Sequence, residues 1–306
     1  MVLDDPLPSW KEGPVKKALL DFVARIGSAQ SVDYVPIDER IATFDNDGTL
    51  WCEYPLQPQI YYTLQRLDHL ARLHPALQEQ QPYRAFLERD LKTIATFSKR
   101  EALTPAFAVY AGMTVEDLQA DVRIWFETAV HPFRKQLFAH CTYLPQLELI
   151  QFLRANGFKN YIVTGGGVEF VRAVGERLYG IPPERVIGSS TQMELELTEG
   201  RARLRKLPAL HTFNDRDEKA VNIGRHIGRR PILAFGNSDG DLAMLRYVLA
   251  GSRARLGLLL HHDDVVREFA YDRTFRLSPL VEGLESYRAY GAELVSMKRD
   301  WNRVFR

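Results

Sequence analysis

Apolar residues recur along the chain in two rhythms. Short solid runs, Ile41–Phe44, Lys159–Val163, Pro231–Phe235 and Leu256–Leu260, read as buried strands, and the first three open into small or polar residues. Around them, apolar positions three and four apart predict helices. One spans Ser9–Gly27, with Ser9 as its cap and Val15, Leu19, Phe22, Val23 and Ile26 on one face. Others cover 144–156, ended by Gly157, then 168–179, 217–227, 242–248, 265–269 and 280–295. Met193–Leu197 and Ala202–Leu204 flank Glu199-Gly200 as a hairpin, expected at a sheet edge.

Between Trp51 and His140 the rhythm is helical throughout. Residues 61–73, 83–97 and 115–130 carry apolar faces, with Pro75, Pro82, Pro105 and Gly112 as breakers between them. So long a stretch with so much periodicity is an inserted unit and not a loop. The expected organisation is a helical cap over 52–140 and a core made of 1–51 and 141–306. Strand alternating with helix in that core predicts an α/β fold, a Rossmann-like doubly wound parallel sheet with its polar turns along one edge.

The first of those turns carries the densest chemistry. Asp45-Asn46-Asp47-Gly48-Thr49 follows the strand Ile41–Phe44 directly. In an extended chain Asp45 and Asp47 share a side, and two carboxylates so close repel unless one is protonated or a hard cation intervenes. Mg²⁺, with its preference for carboxylate and phosphate oxygen, is the natural candidate. A calcium loop fails on register: with Gly48 as its invariant glycine, positions one and twelve would be Thr43 and Tyr54. Thr164-Gly165-Gly166-Gly167 ends another strand with a hydroxyl and bare amides, a geometry suited to phosphate. It is no dinucleotide fingerprint, because Phe170 takes the last glycine position.

Composition narrows the function further. Hydrophobic residues at 45% and charged ones at 26% fit a globular enzyme and leave no room for extended disorder. A net charge of +1 argues against a dedicated nucleic-acid or membrane binder. Two cysteines, Cys52 and Cys141, make neither a disulfide scaffold nor a metal knuckle, and a cytoplasmic setting is expected. Met1–Pro8 has no visible secretory pattern. His261-His262-Asp263-Asp264 is metal-like in composition only, since adjacent residues on an extended chain point apart.

Four elements then lie in order: Asp45-Asn46-Asp47-Gly48-Thr49, Thr164 after a strand, Lys219 in a helix, and Gly236-Asn237-Ser238-Asp239-Gly240-Asp241 after another strand. This order resembles the haloacid dehalogenase superfamily in its phosphoserine phosphatase-like branch. The resemblance implies a phosphatase using Mg²⁺ and an aspartyl-phosphate. Asp45 would be the nucleophile, Asp47 the acid and base, Thr164 and Lys219 the groups that hold the phosphoryl oxygens, all four catalytic. Asn46, Gly48, Gly165 and Gly166 would cradle substrate, and Glu53 sits near where such enzymes place a substrate-binding glutamate. The metal set would be Asp45, Asp47 through its carbonyl, Asn237 and, in support, Asp241; Asn237 stands where the family commonly has aspartate, and Asp239 stays open. The implied partner is a small phosphorylated metabolite. A phosphotransferase or mutase would use the same residues, and a catalytically weak binding protein is the reading from another class.

Overall fold

The computed structural model describes residues 5–94, 96–198 and 200–306. Met1–Asp4, Ala95 of the expected 83–97 helix and Glu199 of the hairpin turn lie outside the described residues.

Helix α1 (Pro14–Gly27) precedes strand β1 (Ile41–Phe44). Helices α2 (Pro58–Leu73), α3 (Tyr83–Leu87), α4 (Leu91–Ile94), α5 (Lys99–Ala108) and α6 (Val115–Thr128) follow without an intervening strand. The chain then continues as α7 (Leu144–Ala155), β2 (Lys159–Gly167), α8 (Val168–Arg172), α9 (Gly175–Tyr179), β3 (Val186–Thr198) and β4 (Arg201–Thr212). It closes with α10 (Asp217–Ile227), β5 (Leu233–Gly236), α11 (Leu242–Leu249), β6 (Leu256–His261), α12 (Glu282–Ser286), β7 (Glu293–Ser296) and α13 (Met297–Asp300). Among the described residues no helix is long and apolar enough to cross a membrane.

The strands form one sheet in the order β4-β3-β2-β1-β5-β6-β7, parallel except for the β3–β4 hairpin at its edge. β1 is central: Thr43 registers with Tyr161 of β2 and with Ala234 of β5. All four residues of β1 are buried, as befits a parallel strand with cover on both faces. The carboxyl ends of β1, β2 and β5 therefore open on the same edge.

Several local expectations change. Ser9 caps nothing; its amide and hydroxyl bind Glu148 at 2.8 and 2.6 Å, and α1 starts at Pro14, whose fixed φ suits a first helical turn. Residues 83–97 break into α3 and α4 around Arg89, at φ 56°. Pro105 does not break a helix but sits inside α5, which a Ser98/Glu101 capping box starts. Residues 265–269 form a turn, because the Asp264 carboxylate accepts the amides of Val266 and Arg267 in competition with a helix. The segment 280–295 ends as β7, paired to β6, after Gly291 (φ 75°) stops the helical turns. The hairpin arms are longer than expected, and β2 runs on through its glycines after a register shift beyond Val163.

The insertion leaves and returns at one point. Trp51 bridges Thr142, and the Cys52 amide donates to the Cys141 carbonyl at 2.9 Å. Beyond that clasp, rings pack the inserted helices onto the sheet side. Trp125 of α6 stacks on Phe138 with centroids 4.8 Å apart, Trp51 stacks on Phe126 at 5.4 Å, and Phe126 meets Phe170 of α8 at 5.6 Å. Each such pair contributes about 0.5–1.5 kcal/mol beyond its area burial.

Candidate active site

β1 delivers Asp45 to the sheet edge, its amide still held by the Phe235 carbonyl of β5 at 2.8 Å. α10 carries Lys219 to the same place. That helix is favoured by Asp217 and Glu218 in its first turn and Arg225 and His226 in its last, and Gly228 at φ 69° ends it. The Lys219 ammonium donates to Asp45 Oδ1 and Asp241 Oδ1, each at 2.5 Å, and all three side chains are buried. Asp241 also orders its own turn: its Oδ2 accepts the Asn237 amide at 2.9 Å, the Ser238 amide at 3.0 Å and the Ser238 hydroxyl at 3.2 Å.

Burial works to lower the pKa of Lys219, but Asp241 and Asp45 beside it raise it above the ordinary value. Lys219 is therefore an ammonium serving two carboxylates. Asp45 is pushed well up, first by burial and then by Asp241, with Asp47 adding to the effect and Lys219 opposing it.

Asp47 is steered by Trp51, whose indole N–H donates to Oδ1 at 2.8 Å. Across from it stands the glycine end of β2. Thr164 Oγ1 and Asp47 Oδ2 both lie within 3.5 Å of the point where a Cβ on Gly166 would sit. Thr164 is wholly buried and its hydroxyl oxygen accepts the Gly166 amide at 3.0 Å. Gly48, at φ 74°, has no space for a side chain, since a Cβ there would collide with Asn237 and Glu53.

A narrow pocket joins these groups, lined by Asp45, Asp47, Gly165, Gly166 and Lys219 together with Gln57, Gln59 and Ile60 from the start of the insertion. Thr164, Asn46, Gly48, Glu53, Asn237 and Asp241 are not part of that lining. The Asn46 side chain is buried with neither end hydrogen-bonded. Glu53, expected at the substrate, is wholly buried and gives its carboxylate to Asn237 Nδ2 (2.7 Å), Tyr271 Oη (3.0 Å), Ser278 Oγ (2.6 Å) and Gln57 Nε2 (3.2 Å). Burial pushes it up to about 7 despite those donors. Asn237 Oδ1 accepts from the Thr49 hydroxyl at 3.1 Å. Asp239 is occupied elsewhere, accepting the amides of Val281, Glu282 and Gly283.

Sequence reasoning missed several residues. Gln59 accepts the Gly167 amide at 2.7 Å and donates to Tyr110 at 3.1 Å, tying the insertion to the glycine turn. His262, set aside as metal-like in composition only, is buried and its Nε2 meets the Gly48 carbonyl at 2.7 Å. Leu277 and Ser278 line the pocket from an irregular segment that gave no periodic signal.

A model of the haloacid dehalogenase-like hydrolases matches residues 42–246, a span that holds the first turn, Thr164, Lys219 and the Asn237–Asp241 turn. The chain belongs to that family. Among solved structures, this haloacid dehalogenase-like hydrolase is similar to a conserved, functionally unknown protein from Anaerococcus prevotii DSM 20548, with 16% identity, TM-score 0.52, and 84% of this chain and 87% of that one covered. A protein of unknown function from Bordetella pertussis Tohama I matches at 16% identity and TM-score 0.51, over 84% of this chain and 98% of the other. A phosphoserine phosphohydrolase-like protein from Francisella tularensis subsp. tularensis SCHU S4 shows 16% identity and TM-score 0.43, over 82% and 98%. Comparison with curated protein sequences finds no match. At such identities the first two structures speak for the fold.

Proposed function

We propose that this hydrolase is a Mg²⁺-dependent phosphatase that cleaves a small phosphomonoester through an aspartyl-phosphate on Asp45. The observation that carries the reading is the shared ammonium: Lys219 sits 2.5 Å from Asp45 in a pocket that Asp47, Gly165 and Gly166 also line. An Asp45 carboxylate oxygen attacks phosphorus in line, and the bond to the leaving oxygen breaks. Asp47, steered by Trp51, gives its proton to the departing alkoxide and later takes one from the water that attacks the phosphoaspartate. Lys219 and the Thr164 hydroxyl hold the charge on the transferring group, and the same Thr164 oxygen orders the turn by accepting the Gly166 amide. An acid placed to protonate an alkoxide has no part in halide release, so Asp47 favours the phosphatase over the dehalogenase reaction.

The donor set fits a hard divalent cation. Two carboxylates, Asp45 and Asp241, share one ammonium, and burial, Asp241 and the nearby Asp47 push Asp45 upward, a surplus of negative charge that Mg²⁺ would offset. Among the described residues no three His, Cys, Asp or Glu side chains form a cage on their own. Mg²⁺ takes one or two carboxylates, neutral oxygens and the substrate's phosphate. Asp45, the Asp47 carbonyl and Asn237 would hold it, while Asp241, its oxygens already engaged, fixes Lys219 and the turn. When bound, the ion supplies charge neutralisation to the nucleophile and the phosphoryl oxygens.

We read 52–140 as a cap on a core of 1–51 and 141–306, which Gln57, Gln59 and Ile60 in the pocket wall support. Two buried free cysteines in the whole chain support a cytoplasmic setting. The test is release of inorganic phosphate from p-nitrophenyl phosphate with Mg²⁺. Chelation should stop it, and Asp45→Asn should lower it by roughly a thousandfold or more. No turnover across a panel of phosphate esters would overturn the reading in favour of a binding protein.

A further inference from the structure

Of the three groups assigned to the cation, only Asp45 brings a side-chain charge, and Lys219 already answers both Asp45 and Asp241 at 2.5 Å. The Asp47 carbonyl and the Asn237 carboxamide are neutral. Asn237 is engaged at both ends: Nδ2 donates to Glu53 Oε1 at 2.7 Å, and Oδ1 accepts the Thr49 hydroxyl at 3.1 Å. A hydroxyl can face either end of an amide, because it both donates and accepts, whereas a carboxylate only accepts. Glu53 therefore decides which way the carboxamide turns, nitrogen towards Glu53 and oxygen towards Thr49 and the turn that follows Asp45.

Glu53 itself is wholly buried, and its other donors are Tyr271 Oη, Ser278 Oγ and Gln57 Nε2. All four partners, Asn237 included, are neutral. A carboxylate buried among neutral donors is costly to keep charged unless a cation stands near it. The backbone makes room for the pair. A Cβ on Gly48 would lie 2.1 Å from Asn237 Nδ2 and 2.2 Å from Glu53 Oε1, so the two side chains close over a bare α-carbon. His262 Nε2 meets the carbonyl of that glycine at 2.7 Å, and its ring stacks on Tyr271 with centroids 4.3 Å apart, the same Tyr271 that donates to Glu53.

Resting on the reading of Asp45, Asp47 and Asn237 as a cation site, we propose that Glu53 is a positioning residue for the metal and makes no contact with substrate. It keeps the Asn237 oxygen, and not its nitrogen, free to ligate, and it places a negative charge one hydrogen bond away from that oxygen. Donation of the amide N–H to a carboxylate also polarises the carboxamide and makes its oxygen a better ligand. Glu53 and Asn237 thus act together as a charged ligand whose charge sits on one residue and whose ligating oxygen sits on the other.

The experiment measures binding of Mn²⁺ to the substrate-free protein by electron paramagnetic resonance, with Mg²⁺ as competitor, since the two ions share a preference for octahedral oxygen. Three proteins distribute the pair's charge differently: wild type, Glu53→Gln, and Glu53→Gln/Asn237→Asp, in which the carboxylate moves to 237 and the amide to 53. Glu53→Gln should weaken binding by about tenfold or more, the usual effect of changing a group that orients a ligand. The double variant should bind with an affinity of the same order as wild type, a rescue that a merely structural Glu53 would not give. Melting curves of the metal-free proteins show which variants fold, and either variant decides if the other does not. Wild-type affinity in Glu53→Gln, or a double variant that binds no better than Glu53→Gln, overturns the inference. Should only the double variant fold, binding about tenfold tighter than wild type overturns it too, because the charge at 53 then never served the ion. In each of these cases Mg²⁺-dependent turnover of p-nitrophenyl phosphate by the wild type leaves the phosphatase reading standing. A wild type that binds neither ion and cleaves no ester takes down both.

Discussion

At the end of β1, two carboxylates share one ammonium at 2.5 Å each, all three buried. In the insertion, Trp125 lies among Tyr62, Phe126, Phe138 and Phe170, with one polar tie, its indole N–H to Gln65 at 2.9 Å. The first region concentrates charge that burial disfavours and needs every partner in place. The second gains from burial itself and tolerates exchange among apolar rings. Strain and reactivity are therefore gathered at the sheet edge, while cohesion comes from the rings.

The sharpest way to break this contrast is to remove the ammonium. Lys219→Met leaves Asp45 and Asp241 buried without their cation and should cost about 3–5 kcal/mol of stability as well as turnover. Denaturant titration checks it; a variant as stable as wild type would mean that the carboxylates are not held by charge. Trp125→Ala should cost about 3 kcal/mol or more through the cavity it opens. Unlike Lys219→Met, it should leave the Lys219–Asp45 contact in a crystal structure unchanged, since the two lie in different packing environments.

Acid separates the regions in another way. His131 in the insertion is buried, its Nδ1 accepting the amides of Phe133 and Arg134, and burial lowers it to about 4. The unfolded chain, with an ordinary imidazole near 6.5, takes the proton first. Its contribution is thus present above pH 6.5 and lost as pH falls towards 4, about 1–2 kcal/mol by pH 5. His131→Gln, followed by thermal melts from pH 7 to 5, should flatten that slope.

Asp45→Asn works the opposite way from most active-site losses. Because Asp45 is held above its ordinary pKa, its ionised form opposes folding, and the amide should raise stability while ending turnover, as a melting curve beside an activity assay would show. A fall in melting temperature would show that Asp45 belongs to the stabilising part of the cluster. Smallest of all is Arg177→Ala, which removes an exposed ion pair between α9 and Glu127 of α6. The change should stay within about 0.5 kcal/mol, which places the cohesion of the two regions in Trp51, Phe126 and Phe170.

The same division governs what could be read in advance. Asp45 and Asp47 announced themselves because a strand pattern ended in acids two apart, whereas Lys219 was reached only through the family resemblance carried by the order of the turns, since a lone helix lysine reads as exposed. Glu53 was singled out, but its surroundings were not legible: its position beside the turn is local, whereas its partners Ser278 and Tyr271 come from a segment more than two hundred residues away, with no periodicity to place it. Gln59 gave no signal because a polar residue at a helix start is ordinary until a distant glycine amide meets it. β7 was read as helix since four residues at an edge carry too short an alternation to outweigh the apolar spacing before them. Pro105 misled because the cap at Ser98 could not be weighed against it.

The clasp between Cys52 and Cys141 has a consequence for how this molecule can be rebuilt. An excursion whose two ends are already joined costs little to lengthen, about 0.6 kcal/mol for each doubling, so its contents can be exchanged as a cassette on a closed socket. Gln59 and Ile60 would leave with the cassette, and with them part of what decides which molecules enter. Asp45, Lys219 and Asp241 would stay behind, fastened to strands and helices that the graft never touches.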